Sequence, residues 1–293
     1  MVTTAMLDAT EAAPAPQCPA LRDALLAWEK APTLCAEEHG CRPYHRCWGL
    51  IRFLNGSQEL VGSAAIEGAI AQLHGASGRV LVCGSADAAV PMTVSAAAAR
   101  HQKDIDLVVV DRCRTGGMVV ANRTKDLNAE LEIVQSSIQD YHAAQFDVIV
   151  VHNLLGHLSE AERAATLAHL VTLSRPGTRM VIVQTLAESE AVWLNPHSEE
   201  RRLNATRDLI HKAQVLGWSE TQLDALAREA DLFWQSAWRQ PPPITFLDMK
   251  HSLDNLQPRQ TRLTEYDGSL GGASSFIYGS SQTRTRCIGQ LTF

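Results

Sequence analysis

Three groups of residues carry types and spacings that can do chemistry. The first lies in "RVLVCGSADAAVP", residues 79–91, where an apolar run passes into Gly84, Ser85, Ala86 and Asp87, with a helix expected behind them. Small residues let a ligand approach the backbone, and the amides at the start of the next helix can donate to it. The next apolar run ends "VVVD", which puts Asp111 at its tip. A carboxylate at that place can accept hydrogen bonds from ribose hydroxyls. Plainer readings stand beside these: Gly84 suits any tight turn, and an aspartate at position 87 suits a helix cap.

The second group is His152, Asn153 and His157, in "VVHNLLGHL" after a fourth apolar run. A histidine there can accept a proton near pH 7 or hydrogen-bond a substrate; equally, His157 can pack at a helix start. The third is "CAEEHGCRPYHRCW", dense in Cys35, His39, Cys41, His45 and Cys47. It contains no C-x-x-C pair and fits no common zinc spacing, so no metal site is expected. Tyr44, Trp48, Arg52 and Phe53 follow at helical spacing, on a face that lines a substrate space or packs on a sheet.

The elements that must hold these groups are legible in the hydrophobic pattern. Val/Ile/Leu runs at 79–83, 106–110, 131–134, 147–151 and 179–183 are mostly continuous rather than alternating. Strands buried on both faces read this way, so the sheet is expected to be mostly parallel and covered by helices. "MTVSAAAARHQ", "TGGMVVANRTKDLN" and "SEAERAATLAHLVTLS" supply the crossovers, and the fold class is a doubly wound α/β domain. Residues 1–19 read as a disordered leader, 20–77 as an N-terminal helical cover, and 78–293 as the main domain. That domain includes a helical insert at 188–240 with Trp193, Trp218, Trp234 and Trp238, and a C-terminal β segment expected to join the sheet antiparallel. The tryptophans suit an aromatic pocket or a core.

Composition narrows the partners. The chain has 293 residues, 45% hydrophobic and 20% charged, with a net charge of −6. No basic run marks a nucleic-acid face, and no apolar run approaches the ~20 residues of a membrane span. The seven cysteines form no disulfide framework, so reduced thiols and a cytoplasmic location are expected. The composition allows a homodimer.

The order "VLVCGSADAA", "VVVDRCRT", "FDVIVVHNLLGHL" and "LSRPGTRMVIV" resembles the class I S-adenosylmethionine-dependent methyltransferases over residues 78–186. The Leu173–Thr178 turn is similar to the Pro-Gly turn ahead of the family's fifth strand, and "GSAD" followed by "VDRC" resembles a bacterial subgroup. The resemblance implies methyl transfer to oxygen, nitrogen or sulfur of a small-molecule acceptor, with S-adenosylhomocysteine as product. It implies cofactor contacts from Gly84, Ser85, Ala86, Asp87, Asp111, Arg112, Ser137, Ile138 and His152. His152 and His157 become candidate catalytic groups, and Asn153, Tyr44, Trp48 and Arg52 candidate substrate contacts. The chain departs from the family loop at Val82, where the usual acidic residue is missing, and at Ala86 and Ala88, which replace glycines. Asp87 is the candidate substitute, and Asp140 lies three residues past the adenine position at Ser137. Two alternatives stay open. One is a non-catalytic binder of S-adenosylmethionine or S-adenosylhomocysteine. The other is an NAD-dependent oxidoreductase, which fits the sheet but lacks G-x-G-x-x-G.

Overall fold

A computed structural model describes residues 18–37, 40–54, 60–186, 199–237, 244–267 and 285–293. The leader up to residue 17, His39, Trp193, Trp238 and the Gly/Ser turn of the tail lie outside the described residues.

Three helices come first: α1 (Pro19–Leu34), α2 (Arg42–Leu54) and α3 (Ser63–Ala71). The α/β alternation follows: β1 (Ser77–Cys83), α4 (Ala89–Arg100), β2 (Asp104–Asp111), α5 (Arg114–Ala121), β3 (Glu130–Gln135), β4 (Phe146–His152), α6 (Glu160–Thr172) and β5 (Ser174–Thr185). Then come α7 (Glu199–Val215), α8 (Glu220–Ala237), α9 (Phe246–Asp254), β6 (Gln260–Asp267) and β7 (Thr285–Thr292). The strands form one sheet in the order β3-β2-β1-β4-β5-β7-β6. The first five pair parallel, and β7 runs antiparallel to both β5 and β6. The expected doubly wound sheet is present, and the tail contributes two strands to it.

The continuous apolar runs are explained by two covered faces. In β1, Val80 and Val82 point into one cluster with Ile66 and Ile70 of α3 and Val94 and Ala97 of α4. Leu81 and Cys83 point into the other, with Leu167 and Leu170 of α6 and Met249 and Leu253 of α9. Each large aliphatic side chain buried this way contributes about 1.5–3 kcal/mol. Because α4 and α6 lie on opposite faces, the winding reverses between β1 and β4. Their carboxyl ends therefore mark the switch point where such sheets bind ligands.

A third cluster belongs to a helical layer. Ala24 of α1 and Cys47, Leu50 and Ile51 of α2 pack with Leu209 of α7 and Leu226, Phe233 and Trp234 of α8. The cover and the insert are thus one layer built from distant parts of the chain. α3 joins the sheet instead, because its short apolar face meets α4 and the strands. Among the described residues no helix is long and apolar enough to cross a membrane.

Candidate functional site

The turn after β1 is set by Gly84, whose φ of +74° strains any L side chain and whose added Cβ would come within 3.3 Å of Leu154. Its N–H donates to the Val110 carbonyl at 2.8 Å, which ties the loop to the tip of β2. The next amide, Ser85 N–H, donates to Asp111 Oδ2 at 2.7 Å, and Cys113 N–H donates to Asp111 Oδ1 at 2.6 Å. Asp111 therefore braces two turns at once. Burial pushes its carboxyl up, while the Ser85 and Cys113 amides and the nearby His45 pull it down.

Two further groups tighten this loop. Asp87 Oδ1 accepts from Ala89 N–H at 2.8 Å at the start of α4, and its Oδ2 accepts from Arg52 Nη1 of α2 at 2.5 Å. Asp87 thus serves as a helix-start acceptor and as the anchor of α2. From the other side α5 closes in at Gly116, where an added Cβ would stand 1.7 Å from the Ser85 carbonyl oxygen. Nothing in the sequence marked Gly116, because the contact is across elements.

The remaining candidates divide. Ser137 Oγ donates to Asp140 Oδ2 at 2.5 Å, and Ser137 Oγ accepts from Asp140 N–H at 3.1 Å. This pairing holds a turn past β3. Ile138 is buried among the core residues of the α6 face. His152 Nε2 faces the Val61 carbonyl at 3.2 Å; a carbonyl only accepts, so the neutral ring carries its proton on Nε2. Asn153 adopts a left-handed φ of +53°, a conformation asparagine tolerates. Its Oδ1 accepts from Thr185 N–H at 2.9 Å and faces Thr185 Oγ1 at 3.1 Å, which locks the end of β4 to that of β5. Arg112 is exposed and lends its positive charge to the surroundings of His157.

His157 and α2 meet at this edge. Tyr44 packs edge-on against His157 with 5.6 Å between ring centroids, and it stacks on Trp48 at 5.6 Å and on Phe233 of α8 at 6.0 Å. Desolvation by these neighbours, then Arg112 and His45, holds the His157 imidazole below its ordinary value. His157 is nonetheless exposed, so solvent screens part of that effect. Tyr44 and Arg52 reach the carboxyl edge through His157 and Asp87, while Trp48, between them on α2, stacks on Tyr44 and packs with it against the helical layer. The other described tryptophans belong to that layer: Trp234 is buried in it, and Trp218 packs on Trp28 at 5.3 Å.

The fold gathers part of the cysteine-rich segment with a cysteine from elsewhere in the chain. The ligand atoms of Cys35, Cys41, His45 and Cys113 lie within 4.8 Å of one another. Hydrogen bonding with Cys35, Cys41 and His45 holds the Cys113 thiol well below the usual range, and the same sharing raises Cys35 and Cys41. Cys47 stands apart, fully buried in the helical layer, where burial pushes its thiol up. The sequence spacing missed this grouping because Cys113 comes from the turn after β2.

A polar depression of about 620 Å³ opens at the opposite, amino ends of the strands, beside Ser77, Asp104, Glu130 and Asp147. An Arg175–Asp147 ion pair spans it, and none of the candidate residues reaches it.

No family model matches the chain, and no curated protein matches it. Among solved structures it is similar to N-methyltransferase NodS from Bradyrhizobium japonicum WM9 in complex with S-adenosyl-L-homocysteine. That match has 14% identity over 78% of this chain and 84% of that one, with a TM-score of 0.46. An O-methyltransferase family protein from Burkholderia thailandensis matches at 14% identity over 94% and 71%, with a TM-score of 0.48. An O-methyltransferase family 2 protein from Planctomyces limnophilus in complex with apigenin matches at 15% identity over 83% and 61%, with a TM-score of 0.44. At these identities and scores the likenesses carry no weight for activity or ligand.

Proposed function

We propose that this chain is an S-adenosylmethionine-dependent methyltransferase acting on a small molecule. The observation that carries the reading is Asp111 at the tip of β2, hydrogen-bonded to the Gly84–Ser85 turn beside the switch point of a doubly wound sheet. The order of motifs along residues 78–186 supports the same reading.

The donor set fits the cofactor. A carboxylate offers about four lone-pair sites, and backbone amides occupy two at Asp111, so two remain for the ribose hydroxyls. At Gly84 the missing Cβ leaves room beside Leu154 and Asp111. When bound, the cofactor supplies a methyl group on a positively charged sulfur. Gly84 to Asp87 border its methionine end, with Asp87 fixed by Arg52. Arg112 flanks the ribose, and Ser137 and Ile138 border the base. His152 closes the cofactor side and Asn153 the acceptor side at the end of β4. Tyr44 and Trp48 give the acceptor an apolar wall.

Transfer of this kind needs alignment above all; a base is required only where the acceptor must lose a proton. His157, held toward its neutral form, is the group placed to accept one. The free cysteines suit a reducing cytoplasm.

Titration calorimetry with S-adenosylmethionine, S-adenosylhomocysteine and NAD tests the reading. Micromolar binding of the first two and none of NAD is the expected result. NAD binding alone would replace this proposal with the oxidoreductase reading. Tight S-adenosylhomocysteine binding with no transfer to any acceptor would favour a non-catalytic binder. The missing acid at the end of β1 and the Asp87–Arg52 pair give that alternative its physical basis.

A further inference from the structure

We propose that Cys35, Cys41, His45 and Cys113 bind one zinc ion in a closed Cys3His site that fastens the helical layer to the tip of β2. The inference does not depend on the cofactor reading.

The four residues come from three places that only the fold unites. Cys35 is the residue that ends α1, and its N–H donates to the Ala31 carbonyl at 3.0 Å. Cys41 directly precedes α2, and His45 lies one turn further on, with its N–H on the Cys41 carbonyl at 3.1 Å. Positions i and i+4 share a helix face, so Cys41 and His45 present their ligand atoms to one point. Cys113 is the N-cap of α5, immediately beyond β2.

Their spacing suits one tetrahedral ion. Zinc–sulfur bonds of ~2.3 Å in a tetrahedron place ligand sulfurs ~3.8 Å apart. Cys35 Sγ and Cys113 Sγ are 3.5 Å apart, and all four ligand atoms lie within 4.8 Å of one another. Three thiols and an imidazole that happened to pack together would not need to converge on a common centre. His45 is 5% exposed, and its Nδ1 has no hydrogen-bond partner, so no hydrogen bond at that atom accounts for the burial of this ring. A buried polar nitrogen without a partner is costly, and it is rare in a native structure.

The donor chemistry selects the ion. Three soft sulfurs and one imidazole favour zinc over magnesium or calcium, which take oxygen ligands. The amino ends of α2 and α5 point their positive dipole ends toward Cys41 and Cys113, which favours the thiolate form that a metal needs. Four protein donors fill the coordination sphere, so the site is structural rather than catalytic. Its position gives the role. Cys113 N–H holds Asp111 Oδ1, so an ion on Cys113 fixes the turn that positions the candidate ribose acceptor. The same ion ties α1 and α2 over the carboxyl edge.

The test is metal content of the full chain, expressed in zinc-supplemented medium and purified in reducing buffer without chelator or immobilised metal. One zinc per chain is expected by plasma mass spectrometry. Cys41→Ser and Cys113→Ser should fall below a tenth of that, while Cys18→Ser, a thiol outside the cluster, keeps it. Should the cluster variants fail to fold, the wild-type protein decides. Stripped of zinc and given cobalt(II), it should show sulfur-to-cobalt charge-transfer bands and the intense visible bands of tetrahedral cobalt. Wild-type protein with less than a tenth of an equivalent of zinc and no such bands would overturn the proposal. So would equal zinc in the cluster variants and the Cys18 variant. The zinc readout is independent of S-adenosylhomocysteine binding, so loss of one reading leaves the other standing.

Discussion

At the scale of single residues, Asp111 and His157 carry the testable chemistry. Asp111 accepts two backbone hydrogen bonds, and the proposed function asks it to accept two more. Hydrogen bonds to a charged group contribute about 1.5–3 kcal/mol each. Asp111→Ala is therefore expected to weaken S-adenosylhomocysteine binding by at least ~10-fold; unchanged affinity in calorimetry would remove Asp111 from the site. His157→Ala is expected to cut single-turnover methyl transfer by ~100-fold, with cofactor affinity little changed, if the acceptor must lose a proton. The pH profile gives a second readout. A base works in its neutral form, so the rate should rise with pH and level off. Because the His157 pKa is held down, the rise should fall below the ordinary histidine range and the plateau should include pH 7. A wild-type rate in the variant would eliminate the base role and leave the cofactor site untouched.

At the scale of elements, the loop after β1 is held by what packs on it. Gly116 of α5 lies against the Ser85 carbonyl, and a Cβ there would meet a backbone atom rather than a flexible side chain. Gly116→Ala should therefore cost about 1–3 kcal/mol in urea unfolding, the usual range for overpacking, and should weaken S-adenosylhomocysteine binding. A substitution without effect on either would show that α5 does not set the loop. α1 is also tied to the turn after α5, where Arg123 pairs with Asp23 at 3.2 Å. Burial raises the Asp23 carboxyl to about 6 despite that partner; Asp87 adds to the rise, while Arg123 and Arg22 oppose it. A carboxyl whose folded pKa lies above its unfolded one binds more protons when folded. Stability from this group therefore falls as pH rises from about 4 to about 6, by at most ~3 kcal/mol. Asp23→Asn lacks that decline, so the melting temperature of the variant relative to wild type should climb across this window. A constant difference would contradict it.

At the scale of the whole molecule, the helical layer and the sheet meet along the carboxyl edge. The Arg52–Asp87 pair, the Tyr44–His157 contact and the cysteine cluster all cross that boundary. A ligand bound there contacts both layers and should stabilise the folded chain as one unit. At a concentration of 100 Kd a single-site ligand adds about 2.7 kcal/mol, so S-adenosylhomocysteine should raise the melting temperature by roughly 5 °C or more. NAD at the same concentration should not. A rise with NAD and none with S-adenosylhomocysteine would invert the ligand assignment.

The sheet was legible in the sequence because strands covered on both faces must be apolar at every position, and that requirement leaves a local mark such as "RVLVC" or "DVIVV". Gly84 and Asp111 were legible for the same reason. They sit at the ends of those runs, and strand length alone brings them to one edge. The α2 face of Tyr44, Trp48 and Arg52 followed from helical spacing, although its partners Asp87 and His157 did not. What the sequence left open depended on contacts between distant segments. An amphipathic helix shows that it has a buried face but not which element covers it, so the union of α1 and α2 with α7 and α8 was invisible, as was the fate of Trp218 and Trp234. The two tail strands found their places by pairing with β5 and with each other, a choice made by the sheet's free edge. The cysteine cluster shows the limit most clearly. Spacing rules detect ligands that are neighbours in the chain, and Cys35, Cys41 and His45 match none of them. The fourth member, Cys113, arrives only when β2 is folded into the sheet and its turn meets the ends of α1 and α2.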